Sequence, residues 1–283
     1  MLLPPKIPGF TLIRRLGGGA ITSVFEAREE ESGSPCAVKL IRPDFEDQEM
    51  ARQLLRREAR IGLSLRHPNI VRVTQAQVLK PPCFLVMDLL SGEPVRHRLQ
   101  GQLKLTVAEA LGISRQAAEA LSALHDAGIL HGDVKPDNLT VLPDETVILT
   151  DLGFAHRPGE NAALIRDGYL LGTANYLAPE QCEEWPSEEP ASDLFSLGVS
   201  LFEMLTGCLP YPAGNVRQTI LRHRNDRPTA IRALVRGLPR ALADLVDALL
   251  AREPEDRPSV KEVIQTLVEL EIADLWARAR KAG

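Results

Sequence analysis

HGDVKPDNLTVLPDETVILTDLG, residues 131–153, contains two short apolar or β-branched runs, Leu139–Val141 and Thr146–Thr150, with Leu142-Pro143-Asp144-Glu145 between them. That pattern predicts a β-hairpin. Centred on the Asp144–Glu145 bond, antiparallel pairing sets Asn138, just before the first strand, opposite Asp151, just after the second. One amide oxygen and one carboxylate then meet at the open end of the hairpin. This is a hard-oxygen pair suited to Mg²⁺, which keeps several waters and takes further ligands from substrate phosphates. Asp133 adds a second acid, the third oxygen donor of the group, upstream of Asn138.

Working outward toward the amino terminus, residues 10–90 are rich in strand-like runs, interrupted by one helical pattern from about Asp47 to Leu65. Ala51, Leu55, Gly62 and Leu65 recur at the spacing of one buried helix face, and Glu58 falls on the same stripe. An acid facing a core needs a cationic partner. Lys39, on the strand Cys36–Ile41 and two residues from Ala37, is the candidate. A purely structural salt bridge is the plain alternative. The strand Cys83–Asp88 ends at Leu89-Leu90-Ser91-Gly92-Glu93-Pro94, a break that suits a hinge.

Toward the carboxyl terminus the sequence turns helical. Thr106 with Glu109 forms a capping-box signal for a helix that Gly128 stops. An irregular segment leads to Glu180, then helices are predicted at Ser192–Thr206 and Ala241–Ala251, with a last pair near the end. Strands first and helices later is an α+β order. Residues 1–9 read as an extension, 10–90 and 91–273 as two lobes, and 274–283 as a tail.

The 283 residues are 44% hydrophobic and can bury a sizeable core. With 33 basic and 38 acidic residues the net charge is -5, so no global basic field draws the chain to nucleic acid or an anionic membrane. The absence of a long apolar run argues against a membrane span or a signal peptide. Cys36, Cys83, Cys182 and Cys208 show no CxxC spacing, and buried, unpaired thiols in a reducing cytoplasm are expected.

HGDVKPDN and DLG resemble the HRDxKxxN catalytic loop and DFG metal turn of eukaryotic-like (Hanks-type) serine/threonine protein kinases. Further motifs follow in the family's order: LGGGAITSVFEA (16–27), AVK (37–39), Glu58, GTANYLAPE (172–180), Asp193 in SDLFSLGVSLFEMLTG, and DRP (256–258). Ordered motifs over nearly the whole chain make a chance match improbable, and LLAREPEDRPS has a bacterial style. The resemblance implies a bilobal kinase fold, with a small, mainly β N-lobe carrying one helix and a larger, mainly α C-lobe.

It also implies roles. Asp133 would accept the proton of the attacking hydroxyl, Lys135 would neutralise the transferred group, and Lys39, braced by Glu58, would reach the ATP phosphates. Asn138 and Asp151 would hold Mg²⁺, with Mn²⁺ as an alternative. Leu16, Gly17, Gly18, Gly19, Val24, Ala37, Met87, Asp88, Leu90 and Thr140 would bind ATP; standing alone, the glycines would read as an ordinary turn. His131, Asp193, and the pair Glu180 and Arg257 would be structural. The partners implied are proteins with serine or threonine hydroxyls, and the oligomeric state stays open. A pseudokinase scaffold and a small-molecule phosphotransferase are the rival readings.

Four positions depart from the family pattern: Thr22 replaces the third loop glycine, Leu152 the DFG phenylalanine, Thr140 an apolar adenine-floor residue, and Gly132 the HRD arginine. In the family that arginine meets a phosphate that orders the activation segment. Here residues 152–172 contain no serine or threonine, so acceptor and arginine are missing together. The expectation is a kinase that needs no such phosphorylation.

Overall fold

The computed structural model describes residues 6–19, 21–183, 186–212 and 214–282. Ala20 of the glycine-rich motif, residues 1–5 of the expected extension and Gly283 lie outside the described residues. The chain forms two compact units. One runs to Ser91 and includes Asp151–Ala155; the other comprises Gly92–Thr150 and the chain from His156 onward.

The first unit is built on strands β1 (Phe10–Gly17), β2 (Thr22–Glu29) and β3 (Pro35–Ile41), helix α1 (Glu49–Ser64), and strands β4 (Val73–Gln77) and β5 (Phe84–Met87). The sheet is antiparallel in the order β1-β2-β3-β5-β4. Side chains alternate across a strand, and β3 uses both faces. Cys36, Val38 and Leu40 join Phe10, Ala27, Phe84 and Val86 on one side. Ile41 on the other joins Ala51, Leu55 and Ala59 of α1 with Val73 and Leu85. Ala37 and Lys39 share Ile41's parity, so the sheet face that meets α1 is also the one that carries the lysine. Gly62 allows close approach, since a Cβ there would lie 2.3 Å from Val73 Cγ2.

The second unit contains β6 (Glu93–Pro94), α2 (Val95–Gln102), α3 (Val107–Asp126), β7 (Leu139–Val141), β8 (Val147–Leu149), α4 (Ala162–Arg166), α5 (Pro190–Thr206), α6 (Val216–Asn225), α7 (Ile231–Leu234), α8 (Arg240–Leu249) and α9 (Val260–Ala282). α5 is apolar around most of its circumference, and its residues from Ser192 to Leu205 are all buried. α3 opens with the expected capping box between Thr106 and Glu109. Val263, Leu267 and Leu270 are the buried positions of α9. That helix takes the place of the expected final pair, and the segment read as a tail from residue 274 continues it to Ala282.

The hairpin forms, but its register differs from expectation by one residue. The pairs are Leu139↔Leu149, Thr140↔Ile148 and Val141↔Val147. Asn138 therefore faces Thr150, whose N–H donates to its carbonyl at 2.8 Å, rather than Asp151. The turn is the cause. Leu142 N–H donates to Thr146 O at 2.8 Å and Glu145 takes a left-handed φ of 64°. That makes a three-residue loop, Pro143-Asp144-Glu145, whose midpoint is a residue instead of a bond. A second correction concerns the thiols: Cys36, Cys83 and Cys182 are buried, but Cys208 is exposed.

Candidate active site

In the first unit, Lys39 and Glu58 are 5% and 3% exposed, and the ammonium lies 2.8 Å from the Glu58 carboxylate. It also donates to Asp151 Oδ1 at 2.6 Å. Burial by itself would lower the Lys39 pKa, yet Asp151 and Glu58 outweigh it and hold the group above its ordinary value. Burial pushes Glu58 upward, against the pull of Lys39. Asp151 adopts a left-handed φ of 61° and accepts the Gly153 N–H at 3.2 Å. A Cβ on Gly153 would lie 3.0 Å from Asp151 Oδ1 and 3.5 Å from both Glu58 Oε2 and Lys39 Nζ. The glycine lets the turn close on the three charges, which line a cavity of about 110 Å³ with Gly19, Thr22 and Phe154.

The three loop glycines separate into two kinds. A Cβ on Gly18 (φ 141°) would meet Thr22 O at 2.4 Å, so that glycine is demanded by the turn itself. Gly17 and Gly19 have open space where a Cβ would be, which leaves their backbone accessible to a ligand. Thr22 begins β2, paired with Ile41. Ala37 is buried opposite Met87 on the neighbouring strand, while Val24 pairs with Lys39. Leu16 and Asp88 are exposed, and Met87 and Leu90 half-buried. The Asp88 N–H is already donated to Arg72 O at 3.1 Å, so it is not one of the hinge donors.

In the second unit the catalytic loop is hung from α5. Asp193 accepts the N–H groups of His131 (2.8 Å) and Gly132 (2.9 Å) and lies 2.9 Å from His125 Nε2. Burial would raise its pKa, but His125, His131 and the Gly132 N–H prevail and lower it. His131 is fully buried, with Nε2 3.2 Å from Thr150 O, which is a structural position. Gly132 has φ 75°, a conformation that costs glycine nothing and other residues about 1–2 kcal/mol. Leu152 is fully buried and Thr140 7% exposed.

Asp133, 3% exposed, is held on both carboxylate oxygens: Lys135 Nζ donates to Oδ2 and Thr173 Oγ1 to Oδ1, each at 2.6 Å. Lys135 also donates to Thr173 Oγ1 at 2.5 Å. The Asn138 NH₂ donates to Asp133 O at 2.7 Å and Oδ2 at 3.0 Å, two bonds that do not use the amide oxygen. An amide oxygen is a hard donor of the kind Mg²⁺ takes, and so is the Asp151 carboxylate in the first unit. Glu180 and Arg257 form a bidentate pair at 2.7 and 2.8 Å, with the guanidinium over the Phe195 ring.

Other groups around this loop gave no signal in the sequence. Arg96 of α2 donates to Asp137 (3.0 Å), Glu203 (2.6 Å) and the Tyr176 hydroxyl (2.6 Å), cross-linking α2, the loop and α5. His223 of α6 lies with Nδ1 2.6 Å from Leu177 O in the GTANYLAPE segment, its ring against Tyr211. Single polar residues in weakly periodic helices carry no pattern that betrays their partners.

A buried lysine–glutamate pair beside the Asp151 carboxylate, and a carboxylate–lysine–threonine group on a loop hung from a buried helix, are features that the protein kinase fold carries. The sequence model of the protein kinase domain matches residues 10–268, and the chain belongs to that family. It is 34% identical over 251 residues to the serine/threonine-protein kinase PknD of Mycobacterium tuberculosis, covering 88% of this chain and 37% of that protein. It is 32% identical over 253 residues to PknA of the same species, covering 88% and 58%, and 30% identical over 253 residues to the probable serine/threonine-protein kinase pknA2 of Bifidobacterium longum, covering 88% and 33%. The chain thus spans between 33% and 58% of the length of these curated relatives. Among the described residues no helix is long and apolar enough to cross a membrane.

Proposed function

We propose that this chain is a serine/threonine protein kinase that transfers the γ-phosphate of MgATP to protein hydroxyls. The observation that carries the reading is the Asp133–Lys135–Thr173 group. It holds an ionisable carboxylate beside a cation and a hydroxyl, with 2.5–2.6 Å between partners. Asp133 orients the substrate hydroxyl and takes its proton; Lys135 balances charge on the transferred phosphoryl oxygens. Lys39, fixed by Glu58, contacts the nucleotide phosphates under the Gly17 and Gly19 backbone. Asn138 and Asp151 would hold Mg²⁺, which supplies charge neutralisation on those phosphates. Leu16, Val24, Ala37, Met87 and Thr140 are each proposed to contact the nucleotide, with the Asp88 carbonyl and Leu90 N–H as its hinge contacts.

Activity in this reading requires no serine or threonine phosphorylation of residues 152–172, where neither residue occurs. The four thiols suit a reducing cytoplasm, which we propose as its location. Phosphate transfer from labelled ATP to a generic protein substrate, with Asp133→Ala as control, tests the reading. Equal background in both would favour a non-catalytic scaffold. Transfer to small hydroxyl compounds alone would favour a small-molecule phosphotransferase. Loss of activity after phosphatase treatment, together with a phosphosite mapped to residues 152–180, would defeat the independence claim.

A further inference from the structure

The segment after the metal turn begins under tight backbone control. His156 N–H donates to Leu130 O at 3.0 Å, and Leu130 N–H to His156 O at 2.9 Å. His156 therefore starts the segment beside the strand of chain that leads into Gly132. Where the family carries an arginine, Gly132 offers no side chain. Something else must hold the segment, and a carboxylate 32 residues further on does so.

Glu188 lies just ahead of α5, and its side chain is 12% exposed. Its Oε2 accepts the Gly159 N–H at 2.6 Å. Its Oε1 stands 3.2 Å from His156 Nε2, within ion-pair range. The Asn161 side chain hydrogen-bonds the same carboxylate. His156 and Asn161 are themselves 3% and 2% exposed. Burial pushes the Glu188 carboxyl up, but His156, the Gly159 N–H and Asn161 outweigh it and hold it below its usual range. An imidazole, a backbone amide and a carboxamide converging on one anion form the kind of socket that binds phosphate. Here the anion belongs to the chain.

We infer that Glu188 is a positioning residue for the activation segment: its carboxylate, seated in the socket made by His156, Gly159 and Asn161, does permanently what a segment phosphate does by modification. The inference rests on the kinase reading above for its meaning, but not for its geometry. Three contacts span residues 156–161 and meet at one side chain fixed to the start of α5, so the first half of the segment is tied to the helix that also suspends Asp133 through Asp193. Leu164, 7% exposed, secures the short α4 that follows.

The test uses the full chain and its Glu188→Ala, Glu188→Gln and Glu188→Asp variants, with two readouts. The first is tryptic cleavage after Arg166, which needs no catalytic activity. The second is steady-state kinetics. Glu188→Ala is expected to speed cleavage at least about tenfold, in line with loss of a charge-assisted contact, and to raise KM for the protein substrate with KM for ATP unchanged. Added acetate should restore the Ala variant in part by refilling the socket, and the Asp variant should retain most of the wild-type behaviour. If Glu188→Ala does not fold, amide exchange at Gly159 in the isosteric Glu188→Gln variant decides the matter, with faster exchange expected. Wild-type cleavage and kinetics in Glu188→Ala, or a Gln variant equal to wild type in cleavage and Gly159 exchange, would overturn the inference. A wild-type chain that transfers no phosphate would defeat the kinase reading, and the cleavage assay would still judge the tether.

Discussion

Thr173 Oγ1 donates to Asp133 Oδ1 while accepting from Lys135 Nζ, so one hydroxyl joins the buried carboxylate to the neighbouring ammonium. Thr173 comes from the GTANYLAPE segment, and Asp133 from the loop suspended on α5. Their bond couples segment position to carboxylate orientation. Thr173→Ala should reduce kcat by about 10- to 100-fold, the scale of a misplaced reacting group, and leave ATP binding intact. Thr173→Ser should recover most of the rate. An Ala variant with unchanged kcat would show that Lys135 and Asn138 suffice to orient Asp133.

The Lys39–Glu58 pair predicts a stability effect separate from catalysis. Glu58→Ala strips a buried ammonium of one of its two carboxylates, and breaking a buried pair typically costs about 3–5 kcal/mol. Asp151 remains 2.6 Å from Lys39, so the loss should fall at the lower end of that range. Urea unfolding measures it, and nucleotide titration should show weaker ATP binding in the same variant.

Gly132 predicts a backbone effect. At φ 75° an alanine is strained, so Gly132→Ala should destabilise the protein by about 1 kcal/mol, and Gly132→Asn by less because asparagine tolerates this region. Thermal melts of the two variants give the comparison. Equal melting temperatures for wild type and Ala would mean that the loop relaxes without cost.

His223 predicts a pH dependence. Burial lowers its pKa from the ordinary 6.5, against the smaller opposing pull of its bond to Leu177 O. The unfolded chain therefore binds a proton that the folded one refuses. Between 6.5 and the lower folded value the unfolded state takes up more protons, so stability falls as pH drops through that window. Urea midpoints between pH 7.5 and 5 should decline more steeply in wild type than in His223→Gln. Parallel curves would assign the decline to other groups.

Much of this was legible in the sequence for a physical reason. Lys39 and Glu58 lie on elements with regular periods, a strand of two and a helix of 3.6, so a face could be read for each and the pair follows. Asp193 and the Glu180–Arg257 pair were reached through resemblance, because nothing in local periodicity says that a buried acid will cap two backbone amides elsewhere. The hairpin register differs by one residue because composition does not say whether the turn is centred on the Asp144–Glu145 bond or on Asp144, and the left-handed Glu145 selects the latter. Helix α6 was not among the expected helices, because its buried positions, Thr219 and His223, carry polar side chains instead of an apolar stripe. Arg96 and Glu188 were missed for the same reason: their partners lie on other elements, and only folding brings them together.

The socket around Glu188 bears on how such a protein can be governed. A phosphate can be added and removed, and it carries nearly twice the charge of a carboxylate; a glutamate is written once, in the gene. If Glu188 holds the segment as proposed, no phosphatase resets it, and control would pass to how many copies of the chain are made, how long they last, and what contacts them away from residues 152–172.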